Sequence, residues 1–284
     1  MSWVLKGPAQ RFEPREWFAG PDMVELALAG EIGSVRYVEP RALVCTAPRL
    51  TLRKGPDAAA EAVSELLLGE GFEIVDVKAG FALGRCLHDR YIGWALFDAL
   101  ALPGTLPGAE PTHRITARRA PVFAAASIKA AVQHELPFAA RVAGEMASDF
   151  LALTGGGFVH RRHVELAPTT RFAAAALFAD APYLWGGRSP DGVDCSGLVQ
   201  QALATEGITL PRDTDLQRQD GEPVTFSARQ AGDLLFFPGH VGLLLDGDRL
   251  CHANAYWMRV VTEPLADVIA RLPDAPEPVV RRFS

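Results

Sequence analysis

The chain has 284 residues, 49% hydrophobic and 22% charged, with a formal net charge of −6. That length carries two or three small domains, and the composition excludes a disordered chain. No basic cluster rises above scattered pairs such as Arg118-Arg119, which argues against nucleic-acid or anionic-lipid partners, and no run of eighteen apolar residues marks a membrane-spanning helix.

The N-terminus lacks the uninterrupted apolar stretch of a secretory signal, so the protein is expected in the cytoplasm. The cysteines at 45, 86, 195 and 251 show no C-x-x-C spacing, which favours reduced thiols over a zinc ribbon.

Residues 1–47 read as an irregular arm. Pro8, Pro14, Pro21 and Pro40 break any long element, and Trp3, Phe12, Trp17 and Phe18 are available to pack on a neighbour. An internal repeat follows. Arg49-Leu-Thr-Leu-Arg-Lys-Gly-Pro56 aligns with Arg114-Ile-Thr-Ala-Arg-Arg-Ala-Pro121, and Gly93-Trp-Ala-Leu96 aligns with Gly157-Phe-Val-His160. The two units are placed at 48–103 and 111–166, with the Pro/Gly-rich stretch 102–111 as a linker.

In the first unit, β-type runs at Leu50–Arg53, Phe72–Val77, Phe81–Cys86 and Tyr91–Ala95 alternate with Gly and Asp signals, as in a small barrel. Ala58–Leu68 has helical composition, but the barrel pattern makes it a loop that enters a strand near Glu65–Leu68. Leu52-Arg53 with Pro56, then Leu68-Gly69-Glu70, then Asp89-Arg-Tyr-Ile-Gly-Trp94 resemble the bacterial SH3 domains. The second unit resembles them less, lacking the tyrosine and tryptophan at the corresponding place.

From Pro168 the composition changes. Thr169 or Thr170 can cap a short helix over 171–179, and a Pro/Gly-rich run over 182–193 delivers Cys195 to a helix predicted over 195–206. Short apolar runs at Asp233–Phe237, Val241–Leu245 and Arg249–Ala253 follow, the last two joined by Asp246-Gly247-Asp248. Helices followed by antiparallel strands make 167–284 an α+β domain.

A thiol at a helix N-terminus faces unpaired N–H groups and the positive end of the dipole, which favour thiolate, although a lone cysteine is as often a small buried hydrophobe. A nucleophile needs a base, and the base needs an orienting group. Of the seven histidines, His88, His113 and His134 lie outside the domain of Cys195. His160 and His163 are spaced for metal but have no third ligand. His240 and His252 are related by the predicted hairpin. A three-residue loop at 246–248 sets His240 opposite Asn254 and His252 opposite Gly242, making the imidazoles diagonal neighbours on one face, about 5–8 Å apart at Cβ. A two-residue loop would point them to opposite faces.

Tyr183-x-Trp185-Gly-Gly, Asp194-Cys195-Ser196-Gly197, Pro211-Arg212-Asp-Thr214, Ala231-Gly232-Asp233-Leu-Leu-Phe-Phe, His240-Val-Gly and His252-Ala closely resemble, in that order, the NlpC/P60 cysteine peptidases. The resemblance implies two SH3-like β-barrels before a papain-like catalytic domain, helices packed on an antiparallel sheet. It further implies Cys195 as nucleophile, His240 as base and acid, and His252 as the orienting residue, with no metal or organic cofactor. Asp194 can cap the helix, but the resemblance assigns it to a substrate amine; Tyr183, Trp185, Ser196 and Thr214 match cleft positions, and Glu70 and Tyr91 are the candidates from the first barrel. The implied substrate is a murein stem peptide with a free N-terminal L-Ala, cut after γ-D-Glu by a monomer. The same thioester would also serve an acyltransferase, and a retired peptidase domain would serve as a wall-peptide binder.

Overall fold

The structure is a computed structural model that describes residues 12–106, 108–165 and 167–284; Trp3 and Pro8 of the expected arm, Pro107 of the linker and Leu166 lie outside the described residues. The described part of the arm lies on the first SH3-like unit. Phe12 and Trp17 meet edge to face, Phe18 is buried, and the Arg85 guanidinium stands under the rings of Trp17 and Phe18 while pairing with Glu25 at 2.8 Å. Stacked, desolvated guanidinium of this kind is worth more than an exposed ion pair.

The first unit contains β1 (Arg41–Cys45), β2 (Arg49–Arg53), β3 (Ala62–Leu67), β4 (Gly71–Lys78), β5 (Phe81–Cys86), β6 (Ile92–Leu96) and β7 (Leu100–Ala101). Their order in the sheet is β3-β2-β6-β5-β4-β1-β7. The sheet curls around Leu50, Leu52, Leu66, Phe72, Ala82 and Ala95. Two expectations change. The sheet begins at Arg41, inside the stretch assigned to the arm, and Ala62–Leu67 is strand, because Leu66 fills the inner face while Leu67, on the opposite face, packs into the core of the last domain. Among the described residues the ladder leaves β3 and β7 as ends, so the barrel is not closed by backbone pairing.

The second unit has β8 (His113–Arg114), β9 (Arg119–Phe123), β10 (Val132–Pro137), β11 (Arg141–Val142), β12 (Gly144–Ala147), β13 (Phe150–Leu153) and β14 (Phe158–His160). Five form one sheet in the order β10-β9-β14-β13-β12, while β8 and β11 pair with each other.

In the last domain, α1 (Arg171–Ala176) is capped by the Thr170 hydroxyl on the Ala173 N–H. The short pair β15 (Arg188–Ser189) and β16 (Gly192–Val193) leads into α2 (Cys195–Leu203), which continues as a 3-10 turn to Glu206 and stops at left-handed Gly207. After α3 (Thr214–Gln217) come β17 (Glu222–Val224), β18 (Leu234–Phe237), β19 (His240–Leu244), β20 (Arg249–Asn254), β21 (Arg259–Pro264), α4 (Leu265–Ala270) and β22 (Val279–Arg282). They build an antiparallel sheet ordered β17-β22-β18-β19-β20-β21. Every residue of α2 is buried, so the helix is packed on all sides. Gly197 makes this possible: a Cβ there would stand 2.3 Å from the Gly187 carbonyl oxygen.

Candidate active site

Cys195 occupies the first position of α2, where a backbone N–H has no intrahelical acceptor, and Asp194 caps the helix by accepting from the Gly197 N–H at 2.8 Å. The Asp194 carboxylate is saturated by four further donors: the Gly186 N–H at 2.8 Å, the Ser196 hydroxyl at 3.3 Å, and both terminal nitrogens of Arg212 at 3.0 and 2.6 Å. Arg212 is itself almost fully buried, and also donates to Ser196 Oγ and, from the first SH3-like unit, Ser64 Oγ. The cap is thus part of a buried ion pair that fixes the turn before the thiol.

The thiolate expected from the helix end is not the resting state. Burial, followed by the neighbouring Asp194 charge, pushes the Cys195 thiol above its ordinary pKa; the Val241 N–H, the Thr214 hydroxyl and Arg212 act in the opposite direction and lose. Cys195, 6% exposed as a residue, has little water to solvate a thiolate. Its proton therefore needs a base.

The hairpin supplies one. Leu243 pairs with Cys251 and Leu244 with Leu250, the register expected of a three-residue turn, and this brings the two imidazoles together. His240 Nε2 lies 2.8 Å from His252 Nδ1. His252 is fully buried, and its Nε2 lies 2.8 Å from Glu263 Oε1 on β21. Glu263 is held in turn by Arg271 at 2.5 Å and by the Trp257 indole N–H. Those donors outweigh burial and hold its carboxyl below the usual range. Burial and the neighbouring His252 hold the His240 pKa down to about 3, and burial also lowers that of His252, so both rings rest neutral.

The hydrogen positions follow by assignment from the network. A carboxylate only accepts, so His252 Nε2 carries its hydrogen. His252 Nδ1 then accepts from His240 Nε2–H. His240 Nδ1 is left as the free base; among the described residues the Cys195 sulfur makes its side-chain hydrogen-bond contact with the Thr214 hydroxyl and none with His240. Glu263 is the member of this line that the sequence reading missed. The hairpin logic contained the signal: His252 pairs with Val261 on β21, so Glu263 lies two residues along on the same face.

Cys195 opens into a cleft of about 530 Å³. Its lining includes Trp185, Asp194, Ser196 and Thr214, with Tyr91, Gly93 and Trp94 from the first SH3-like unit and Arg15 from the arm. The Thr214 hydroxyl is 3.8 Å from the sulfur. Burial and the adjacent Asp213 push up the pKa of the Tyr91 hydroxyl. Arg15 donates to Asp213 and Asp215, both at 2.8 Å, and its backbone carbonyl accepts from the Ile92 N–H. The arm therefore forms part of the wall, a contact 198 residues apart in sequence that no local pattern announces. Tyr183 packs against the core beside Cys195 rather than lining the cleft, its hydroxyl pushed up to about 12 by burial.

Glu70 is a correction. It lies outside the cleft, buried at the seam between the first unit and the last domain, accepting from Leu67 N–H at 2.9 Å and paired with Arg188 at 2.8 Å. The turn through left-handed Gly69 folds its side chain back toward Leu67. Burial would raise its pKa, but Arg188 and His88 more than offset that and hold the carboxyl low. The acidic groups that do line the cleft are Glu61, Asp194, Asp213 and Asp215.

The sequence profile described as the NlpC/P60 family matches residues 180–269, and the bacterial dipeptidyl-peptidase Sh3 domain profile matches residues 52–100. Dipeptidyl-peptidase 6 of Lysinibacillus sphaericus is 43% identical over 83 residues, 28% of this chain and 30% of that protein. The gamma-D-glutamyl-L-lysine dipeptidyl-peptidase of Bacillus subtilis is 40% identical over 86 residues, 28% of this chain and 29% of its own length. These matches thus span less than a third of either relative. The crystal structure of an NlpC/P60 family protein from Bacillus cereus shares the fold, with a TM-score of 0.72 over 86% of this chain and 99% of that one at 20% identity. The chain therefore carries an NlpC/P60 domain with a bacterial SH3 domain ahead of it.

Proposed function

We propose that the protein is a cysteine peptidase that hydrolyses the γ-D-Glu–diamino acid bond of murein stem peptides bearing a free N-terminal L-Ala. The observation that carries this reading is the His240–His252 pair at 2.8 Å in the same domain as Cys195, which opens onto a cleft also lined by the first SH3-like unit and the arm. His240 Nδ1 takes the thiol proton as sulfur attacks the amide carbonyl, with the Cys195 backbone N–H donating to the oxyanion. The imidazolium then protonates the leaving amine, and water hydrolyses the thioester.

In this reading the first SH3-like unit and the arm, which contribute to the cleft lining, limit how much peptide can precede the scissile bond. Tyr91 and the Asp213 and Asp215 carboxylates, which Arg15 partly neutralises, are the groups left to meet a terminal ammonium; Asp194, expected to hold it, is already saturated by its helix cap and Arg212. Such a limit supports a role on soluble peptides, as in cytoplasmic recycling. The name of the Bacillus subtilis relative, a gamma-D-glutamyl-L-lysine dipeptidyl-peptidase, agrees with the same bond class. The test is cleavage of L-Ala-γ-D-Glu-diaminopimelate against its N-acetyl analogue, with Cys195→Ala as control. Cleavage of the free-amine peptide alone, abolished in Cys195→Ala, is expected; equal cleavage of both peptides removes the amine pocket, and activity in Cys195→Ala removes the mechanism.

A further inference from the structure

A second cavity, of about 180 Å³, lies where both SH3-like units meet the catalytic domain. Its walls carry more cationic donors than the surrounding protein uses. Arg114 on β8 and Arg141 on β11 are direct cross-strand partners, an arrangement of like charges that costs stability. Among the described residues neither guanidinium has an ion pair or a side-chain hydrogen bond; Arg114 lies over the Phe138 ring, and burial together with Arg141 pulls its pKa down. Arg141 is solvent-exposed and Glu70 acts on Arg114 from across the cavity, but neither guanidinium has a paired counter-ion of its own, which leaves both able to accept an anion from outside the chain.

The rest of the lining agrees. Arg188, Gln200 and Gln201 are 4%, 5% and 2% exposed, yet Arg188 Nε, Gln200 Oε1 and Gln201 Nε2 have no partner, and neither has Arg114 Nε. A buried polar atom left unpaired is costly, and three of these four are donors, Gln200 Oε1 being an acceptor, so the lining holds unused donors that an anion would satisfy. The two carboxylates on the wall are already committed. Glu70 accepts from Arg188 and the Leu67 N–H, and Asp89 from Gln200 and the Tyr91 N–H.

From this we infer that the cavity binds a small oxyanion of the size and charge of inorganic phosphate, held by Arg114, Arg141, Arg188 and Gln201. A cation is the poorer fit. Cys86, His88 and Asp89 bring their ligand atoms within 4.8 Å of one another, but three guanidiniums share the cavity and the thiol is fully buried. The anion would bridge a ladder of the second unit to α2, the helix that begins at Cys195, and so tie all three domains together.

The test is thermal unfolding of the full chain in phosphate against chloride at constant ionic strength and pH 7, with calorimetric titration of phosphate alongside. A saturable rise in Tm of roughly 3 °C is expected at tenfold excess over Kd. Arg114→Met should unfold at or above the native temperature without phosphate, since it removes the repulsion, and should lose the phosphate response; the exposed Arg36→Met should keep it. Arg141→Met gives the same reading should Arg114→Met fail to fold. No saturable rise in the native protein, or a full rise in both cavity variants, overturns the proposal.

Discussion

Replacing Glu263 tests whether a carboxylate two residues beyond the imidazole pair sets the polarity of the whole line. With Glu263 present, His252 Nε2–H donates at 2.8 Å, and the Nδ1 lone pair is available to His240. In Glu263→Ala, the Arg271 cation that the carboxylate holds at 2.5 Å loses its partner beside His252, and the reversed tautomer becomes accessible. That tautomer puts a hydrogen on His240 Nδ1 and removes the base. A hydrogen bond to a charged group nets about 1.5–3 kcal/mol, so the productive tautomer should fall about 10- to 150-fold. Glu263 does not line the cleft, so the loss belongs in kcat with KM nearly unchanged. Steady-state cleavage of L-Ala-γ-D-Glu-diaminopimelate measures the split, and the pH dependence of Cys195 alkylation by iodoacetamide reports the base directly. Glu263→Gln keeps an acceptor oxygen and should recover part of the rate. Native kcat in Glu263→Ala, or a change in KM alone, would refute the reasoning.

Further outcomes follow from the same geometry. Arg212→Met leaves Asp194 buried and unpaired; breaking such a pair costs about 3–5 kcal/mol, and a Tm loss of about 10 °C is expected by calorimetry, against which a loss under 2 °C would count. Gly197→Ala forces a methyl against the Gly187 carbonyl at 2.3 Å, and should cost both stability and kcat by moving the start of α2. His240 is half-buried and rests neutral, with its folded pKa at about 3 against 6.5 for the free side chain. The unfolded chain therefore binds the extra proton between those values, and stability measured by urea unfolding should fall by about 1.4 kcal/mol per pH unit on acidification through that window. The slope should flatten in His240→Asn. Glu70→Gln should lower Tm while leaving KM near native, because Glu70 pairs with Arg188 at the domain seam rather than facing substrate.

What was legible in the sequence was what is encoded locally. The Pro/Gly turn before Cys195, the cap at Asp194 and the left-handed stop at Gly207 each depend on neighbouring residues. The parity of the 246–248 turn was enough to put His240 and His252 on one face, because side-chain direction alternates strictly along a strand. What failed depends on packing. Dipole arguments favoured a thiolate, but they cannot register that the sulfur is nearly dry and that Asp194 stands beside it. Glu70 sits in a motif shared with bacterial SH3 domains, yet its direction is set by Arg188, 118 residues away. The arm's hold on the cleft through Arg15 joins residues with no common pattern at all.

The central claim is that Cys195 forms a thioester with the γ-carbonyl of D-Glu. Rapid-quench mass spectrometry of the enzyme with L-Ala-γ-D-Glu-diaminopimelate measures it directly. The account predicts an L-Ala-γ-D-Glu acyl adduct on the peptide that contains Cys195, formed before the steady state and absent from Cys195→Ala. Turnover without any adduct on Cys195, with cleavage persisting in Cys195→Ala, would contradict it.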